Sequence, residues 1–400
     1  MRRFYCGEIF ISLPTTLPNY LHMKFLYSVL VFTFLILHTN VSAQNEVAFA
    51  SNTLSKKVTG GLESLFTAKT KTGSYTFKDG SVYTGELKNR KPNGKGKTVF
   101  KNRDTYEGSY IKGKREGYGV YVFASKGERY EGMWFEDQIQ GKGTYYFAST
   151  NYYTGNWYEG VQEGEGTMYY RTGDTYVGNW KNNQRDGIGI YSWKNGAKYE
   201  GSWSNDMKNG EGVMIWDDKS KYEGHWKNDF RSGKGIYSYP HGDRYVGQWR
   251  EDVQHGQGIY TFDTGDRYEG TYLYGKRTGH GTIYRTNGDT YTGNFSDGEQ
   301  EGQGTFTWHN GPVYEGNWKS NKRSGQGTYK WKNGDIYTGE WKEDQFHGKG
   351  VLILNNGDKY EGEFANGLKE GYGVETTKDG KRFEGVFKKG QRERESTATR

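Results

Sequence analysis

The chain is poor in the residues most reactions and most cores are built from. Its only cysteine is Cys6, in a stretch read below as removed on export, so the mature protein has no disulfide, no thiol nucleophile and no cysteine metal site. Only 32% of the residues are hydrophobic, too few aliphatic side chains for the cores of ordinary domains. Long helices are excluded by glycine, which falls inside every candidate segment and costs about 1 kcal/mol at each interior position. Histidines are few and scattered: His225, His241, His255, His280, His309 and His347 lie at or near turns, with no His-x-x-His or Glu-x-x-His spacing, and read as surface imidazoles rather than metal ligands. What remains is a β chain of 61 Gly, 35 Tyr, 20 Phe and 12 Trp.

The N-terminus carries the one long apolar run. Met23-Lys24 is followed by Phe25 to Leu37 and then by Val41-Ser42-Ala43, the order of charge, apolar stretch and small-residue cleavage site in a secretory signal. A spanning helix needs about 20 apolar residues, so a retained signal-anchor is the poorer reading. Residues 1–22 have no place in a signal of normal length and read as a mis-assigned start, a long n-region being the alternative. Residues 23–43 are then the signal peptide, and no cysteine follows the cleavage site to carry lipid. Export removes Arg2, Arg3, Lys24 and Glu8, leaving 52 basic and 47 acidic side chains, a balance too mild for a nucleic-acid partner. Residues 44–72 are polar and aperiodic and read as a flexible leader, as does the tail 391–400.

From there a single phrase repeats. Tyr-x-Gly-x-aromatic starts at Tyr83, Tyr106, Tyr130, Tyr153, Tyr176, Tyr199, Tyr222, Tyr245, Tyr268, Tyr291, Tyr314, Tyr337, Tyr360 and, with phenylalanine, Phe383. All intervals are 23 residues except the 24 between Tyr106 and Tyr130, which is the period of a stacked array. Tyr199 to Lys221 illustrates the unit. Tyr199-Glu-Gly-Ser-Trp203 alternates, Ser204 to Asn209 reads as a polar turn, Gly210 to Trp216 alternates again, and Asp217 to Lys221 turns back. Large/small complementarity predicts that Tyr199 pairs with Trp216, Gly201 with Met214 and Trp203 with Gly212. Across the next turn Trp216 then meets Tyr222, Met214 meets Gly224 and Gly212 meets Trp226. The opposite face carries β-branched and polar residues such as Val213, Ile236, Ile259 and Thr282.

Tyr-Glu-Gly-x-Trp, then Gly-x-Gly, an aromatic strand and Asn-Gly-Asp resembles the MORN repeat. The resemblance covers residues 83–390 as thirteen full copies and a partial C-terminal one, preceded by a half repeat at 73–82. It implies an all-β fold: an elongated, twisted, single-layer antiparallel sheet of tandem hairpins with a shallow aromatic groove. It also implies roles in protein binding, scaffolding or membrane association. Departures are local: Leu87, Tyr110, Tyr272, Phe295, Phe364 and Phe387 stand in the tryptophan place, and Arg285, Glu375 and Thr377 where second-strand aromatics belong. Arg285 is the oddest, read either as a kink or contact point or as a tolerated, snorkelling substitution.

The functional expectation is an exported, non-enzymatic scaffold without a cofactor. The strand glutamates recur equally, whereas catalysis needs singular, differently tuned carboxylates, and Gly-x-Gly never opens a helix as a phosphate loop would. A protein segment is expected along the tryptophan row Trp157, Trp180, Trp203, Trp226 and Trp249 with Tyr199, Tyr222 and Tyr245, these being the usual anchors of interfaces. Two other readings are a peripheral membrane protein and a glycan-binding envelope protein. The first wants clustered cations, whereas the first-turn loops alternate between basic (Lys88, Arg90, Lys91) and acidic (Asp297, Glu299, Glu301). The second competes with the packing that the same aromatics must supply.

Overall fold

The computed structural model describes residues 71–393. The start extension, the signal peptide, the leader up to residue 70 and residues 394–400 lie outside the described residues. Twenty-nine strands, from Lys71–Thr76 to Gln391–Arg392, form one antiparallel sheet in which each strand pairs with the next in sequence. Strands pack chiefly against their chain neighbours, with rings reaching the next strand but one, as from Tyr199 to Trp226, and first and last strands are not paired. The sheet is therefore open and one-dimensional, as the repeat period predicts. Its first strand begins two residues inside the stretch read as leader, and its last takes two residues of the stretch read as tail.

The hairpin differs from the sequence reading in register. Strand Lys198–Ser204 pairs with Met207–Ile215 so that Tyr199 faces Met214 and Gly201 faces Gly212, and Trp203 faces Lys208 beyond a bulge. On the other side Met214 faces Tyr222, Gly212 faces Gly224 and Gly210 faces Trp226. The expected pairing of Tyr199 with Trp216 is thus two residues out. The cause is where the tyrosine ring goes: it lies down along its own hairpin, over the two opposed glycines. A Cβ at Gly201 would come within 2.5 Å of the Gly212 Cα. Large side chain and glycine do complement one another, the tyrosine over the glycine pair of its own hairpin and the tryptophan opposite a glycine of the hairpin before it.

The turns follow from this register. Asn205 and Asp206, with φ of 48° and 66°, make a two-residue type I′ turn, whose twist matches that of the strands it joins. The second strand therefore resumes at Met207, not at Gly210, and the surplus residues enter the bulge, where Gly210 has φ 104°. Only a residue without Cβ adopts that conformation readily. At the other end, Trp216 N–H donates to the Ser220 carbonyl at 3.0 Å and Lys219 N–H to the Trp216 carbonyl at 3.1 Å, closing a short loop of the type I class with a left-handed fourth residue. The extra residue between Tyr106 and Tyr130 is absorbed in this loop, where Lys126 and Gly127 both donate to the Phe123 carbonyl.

Arg285 causes no kink. Its N–H donates to the Asp289 carbonyl at 2.9 Å, as the same position does in the other 23-residue repeats, and its guanidinium lies 5.9 Å from the Phe306 ring. Glu375, also in an aromatic place, forms the C-terminal clasp: Lys369 Nζ sits 2.5 Å from one carboxylate oxygen and Arg392 Nη2 2.6 Å from the other. Burial alone would raise the Glu375 carboxyl, but the bonds from Lys369 and Arg392 hold it below its ordinary value.

Candidate binding face

The aromatic face is built from a spine and a cover. Each of the thirteen repeat tyrosines donates its hydroxyl to the backbone carbonyl three residues on, as Tyr199 does to Ser202 at 3.0 Å. That residue sits in the bulge, where the strand register breaks. A buried carbonyl there would otherwise be unpaired, a penalty that phenylalanine could not relieve. Every one of these tyrosines except Tyr83 also meets two rings edge to face, the tryptophan, tyrosine or phenylalanine that ends its own first strand and that of the next repeat: Tyr199 lies 5.1 Å from Trp203 and 5.5 Å from Trp226. The Trp203 indole N–H donates to the Gly189 carbonyl at 3.2 Å, so the ring that ends one first strand is bonded to the repeat before it.

All eight side chains expected to line a groove are committed to this spine. Tyr199, Tyr222 and Tyr245 are wholly buried, and Trp157, Trp180, Trp203, Trp226 and Trp249 expose 7%, 5%, 5%, 2% and 5% of their surface. Burial raises the Tyr199, Tyr222 and Tyr245 hydroxyls well above the ordinary phenol value.

Much of the cover is a row of cations that sequence reasoning missed. The Arg185 guanidinium lies 4.2 Å from the Trp203 ring. Arg115 lies over Trp134, Lys208 over Trp226, Arg231 over Trp249 and Arg323 over Trp341, all between 4.3 and 4.4 Å. Each cation belongs to the hairpin preceding its tryptophan. The arginines are pinned by the next turn: Arg185 backbone N–H and Nε both donate to Asp206 Oδ1, at 2.9 and 3.0 Å, and Nη2 donates to the Asp206 carbonyl at 2.7 Å. The same clamp joins Arg115 to Asp137, Arg231 to Asp252 and Arg323 to Asp344. Lys208 is pushed below its ordinary value by burial, with Asp229 and Asp252 pulling the other way. The signal was present in the sequence as a cation five residues after the tryptophan and an aspartate at the second turn position.

The opposite edge is stitched too. In most repeats the aspartate closing the second loop accepts a backbone N–H from the following repeat, as Asp174 does from Lys194 at 2.9 Å and Asp243 from Asp263 at 2.8 Å. Where the acceptor is Ser220, the residue one repeat on is Pro240, which has no N–H to give. Alternation of charge along the first-turn edge has a similar origin, since Lys114 pairs with Glu136 at 3.3 Å and Lys276 with Asp297 at 2.8 Å in the next turn.

With the spine covered, the rings left half-exposed are those ending the second strands: Tyr170, Trp193, Trp216, Tyr239, Phe262, Trp308 and Trp331. They run beside an inner row, Trp216 lying 5.5 Å from Tyr237 and Tyr239 5.9 Å from Tyr260. The face opens into a cleft of about 660 Å³ at Trp157 and Trp180, lined also by Tyr145, Met168, Tyr170 and Gln162. No group of three metal-ligating side chains occurs among the described residues.

An open sheet of stacked hairpins with one aromatic face defines a β-repeat protein. Thirteen successive segments, from 83–105 to 360–382, match the model of the MORN repeat, and the chain belongs to that family. No curated protein matches it. Among solved structures, the TCP10 domain of Danio rerio CPAP is similar at 12% identity and a TM-score of 0.30, over 50% of this chain and 94% of that one. The SAS-4 TCP domain of Drosophila melanogaster, in complex with a proline-rich motif of Ana2, is similar at 12% identity and a TM-score of 0.26, over 44% and 90%. A streptogramin B lyase reaches a TM-score of 0.12 at 12% identity, over 79% and 90%. Likenesses this slight carry no argument about the present chain.

Proposed function

We propose that the array is an exported, non-enzymatic scaffold that holds an extended protein segment on its aromatic face. The observation carrying this reading is the second-strand row, Trp193, Trp216, Tyr239 and Phe262, left half-exposed while the first-strand rings are spent on packing. Tyrosine and tryptophan offer large, rigid contact area at small entropic cost. An unbroken run of such rings suits a segment lying across several repeats.

The test is affinity capture of a protein partner from the native envelope, at high salt, by the mature array and by Trp193→Ala and Trp216→Ala variants. A partner held by the wild type and lost by variants with unchanged circular dichroism supports the reading. Flotation with anionic liposomes that weakens as salt rises, with no protein captured, would replace it with a membrane-surface role, because such adsorption is screened over a Debye length of about 8 Å. Export is tested separately by intact mass. The mature chain should begin at Gln44, and a species retaining Phe25 to Leu37 would make it a membrane-anchored protein instead.

A further inference from the structure

Five tryptophans of the array carry a lysine or arginine on their outer face, supplied by the preceding hairpin. Three first-strand tryptophans do not: Trp318, with Gln300 in the covering place, and the consecutive pair Trp157 and Trp180. The position that would cover Trp157 is Ile139, and the one that would cover Trp180 is Gln162. The clamp partner changes with it, Asn183 standing where Asp206 or Asp252 stands elsewhere. The Gln162 backbone is bonded to Asn183, its N–H donating to Asn183 Oδ1 at 2.8 Å and its carbonyl accepting the Asn183 N–H at 3.1 Å. Its side chain is 4% exposed, lines the cleft and has no hydrogen-bond partner among the described residues.

We infer that this cleft is a slot for a cation supplied from outside: the guanidinium or ammonium of an arginine or lysine side chain on the bound segment. The reading rests on the proposed binding of a protein segment along this face. The array itself is the template, since a cation occupies the equivalent space four times as arginine and once as lysine, at about the distance of a cation–π contact. The free Gln162 carboxamide oxygen can accept from that cation, as a carbonyl oxygen does from each clamped arginine. Charge points the same way. The first-turn edge of these two repeats carries Glu136, Asp137, Glu159 and Glu163 and no cation from Trp134 to Gly141 or from Trp157 to Tyr170. Of the four, Glu136 and Asp137 are paired with Lys114 and Arg115 and Glu163 accepts the Asn182 N–H, whereas Glu159 is exposed. A peptide cation is favoured over a metal ion because the walls are rings, the amides of Gln162 and Asn183 and the Arg185–Asp206 ion pair, which leaves no set of free anionic ligands.

The test uses the full chain with nitrogen-15 in its indoles, titrated with N-acetyl-arginine amide and with the neutral isostere N-acetyl-citrulline amide. The indole N–H resonances of Trp157 and Trp180, assigned through Trp157→Phe and Trp180→Phe, should shift saturably with the arginine compound. The citrulline compound should leave them at least tenfold less affected. Gln162→Arg, which supplies the missing cation from within the chain, should abolish the response, and Gln162→Met should keep it. Equal shifts with both compounds, shifts spread over all twelve indoles, or an undiminished response in Gln162→Arg would overturn the slot. Failure here is separable from failure of the wider reading. A partner captured by Gln162→Arg as well as by wild type, yet lost on Trp216→Ala, would leave the binding face standing without the slot.

Discussion

Repeats between Arg185 and Trp249 and those around Trp157 and Trp180 share a spine and differ in what lies over it. Tyr153 and Tyr199 are both wholly buried, both lie across an opposed glycine pair and both donate to the carbonyl three residues on. Over Trp203 the chain adds a guanidinium clamped to Asp206; over Trp180 it adds only a glutamine. The lesson is a division of labour. The tyrosine and its two glycines hold the hairpin, while the position five residues after the tryptophan varies, with arginine, lysine, glutamine and isoleucine among its occupants, and decides which group lies over the next ring.

The largest expected effect is one that should not distinguish the two regions. Burial raises the hydroxyls of Tyr153 and Tyr199 above the ordinary 10.0 in both, and raises Tyr268 and Tyr360 to about 12. A group whose folded value is raised contributes stability that is complete below its unfolded value and is lost as pH rises through the folded one. The array should therefore hold its stability up to about pH 10 and lose it steeply beyond, with tyrosinate absorbance appearing together with loss of β-sheet circular dichroism. Ionisation of the thirteen tyrosines well before unfolding would mean that their hydroxyls are wet, and the shared spine would not exist as described.

Next in size is the glycine beneath the ring. A Cβ at Gly166 would come 2.1 Å from the Tyr153 hydroxyl, and one at Gly212 would come 2.3 Å from that of Tyr199. Gly166→Val and Gly212→Val should each cost about 3 kcal/mol, the upper end of ordinary overpacking, because the displaced ring also loses its hydrogen bond. Glu200→Val, on the open face with its side chain 58% exposed, should cost little. Denaturation midpoints for the three variants measure this, and a mild Gly166→Val beside a severe Gly212→Val would separate two spines that are here held to be one.

The period, the hairpin unit, the family and the all-β class were legible because each repeats thirteen times in the sequence. The register was not, for a physical reason: a ring can complement a glycine across the ladder or within its own hairpin, and alternation of large and small residues is the same in both. What could have decided it is the hydroxyl. Tyrosine rather than phenylalanine at the buried place announces a buried acceptor, and the bulge that supplies one also explains why two glycines are needed two residues apart, Gly210 for its positive φ and Gly212 for its missing Cβ. The eight expected groove residues lie buried in the spine, because the same rings that would anchor a partner first satisfy the hairpins. Arg185 and Trp203 are 18 positions apart, and nothing local in the sequence joins them.

The smallest expected effect bears most directly on the contrast between rings with and without a cation over them. Arg185→Met keeps an apolar stem over Trp203 but removes the guanidinium, its two donations to Asp206 and its contact with the indole. A cation–π contact contributes about 0.5 to 2 kcal/mol. A hydrogen bond to a charged group is worth more than a neutral one, but the Asp206 side chain is 44% exposed, so water replaces much of what is lost and the pair itself adds little. A net cost of about 1 kcal/mol is expected, close to that for Arg231→Met, which has the same geometry over Trp249. Gln162→Met removes a carboxamide with no side-chain partner, so it should be neutral or slightly stabilising. Paired thermal melts of the four single variants, Gln162→Arg included, read the contrast as an ordering: Gln162→Arg at or above wild type, Gln162→Met near it, both arginine variants below. Arginine variants indistinguishable from wild type would show that the clamp is a solvated surface pair, and that the tryptophans at 157 and 180, which lack a cation, are no different in kind from those that carry one.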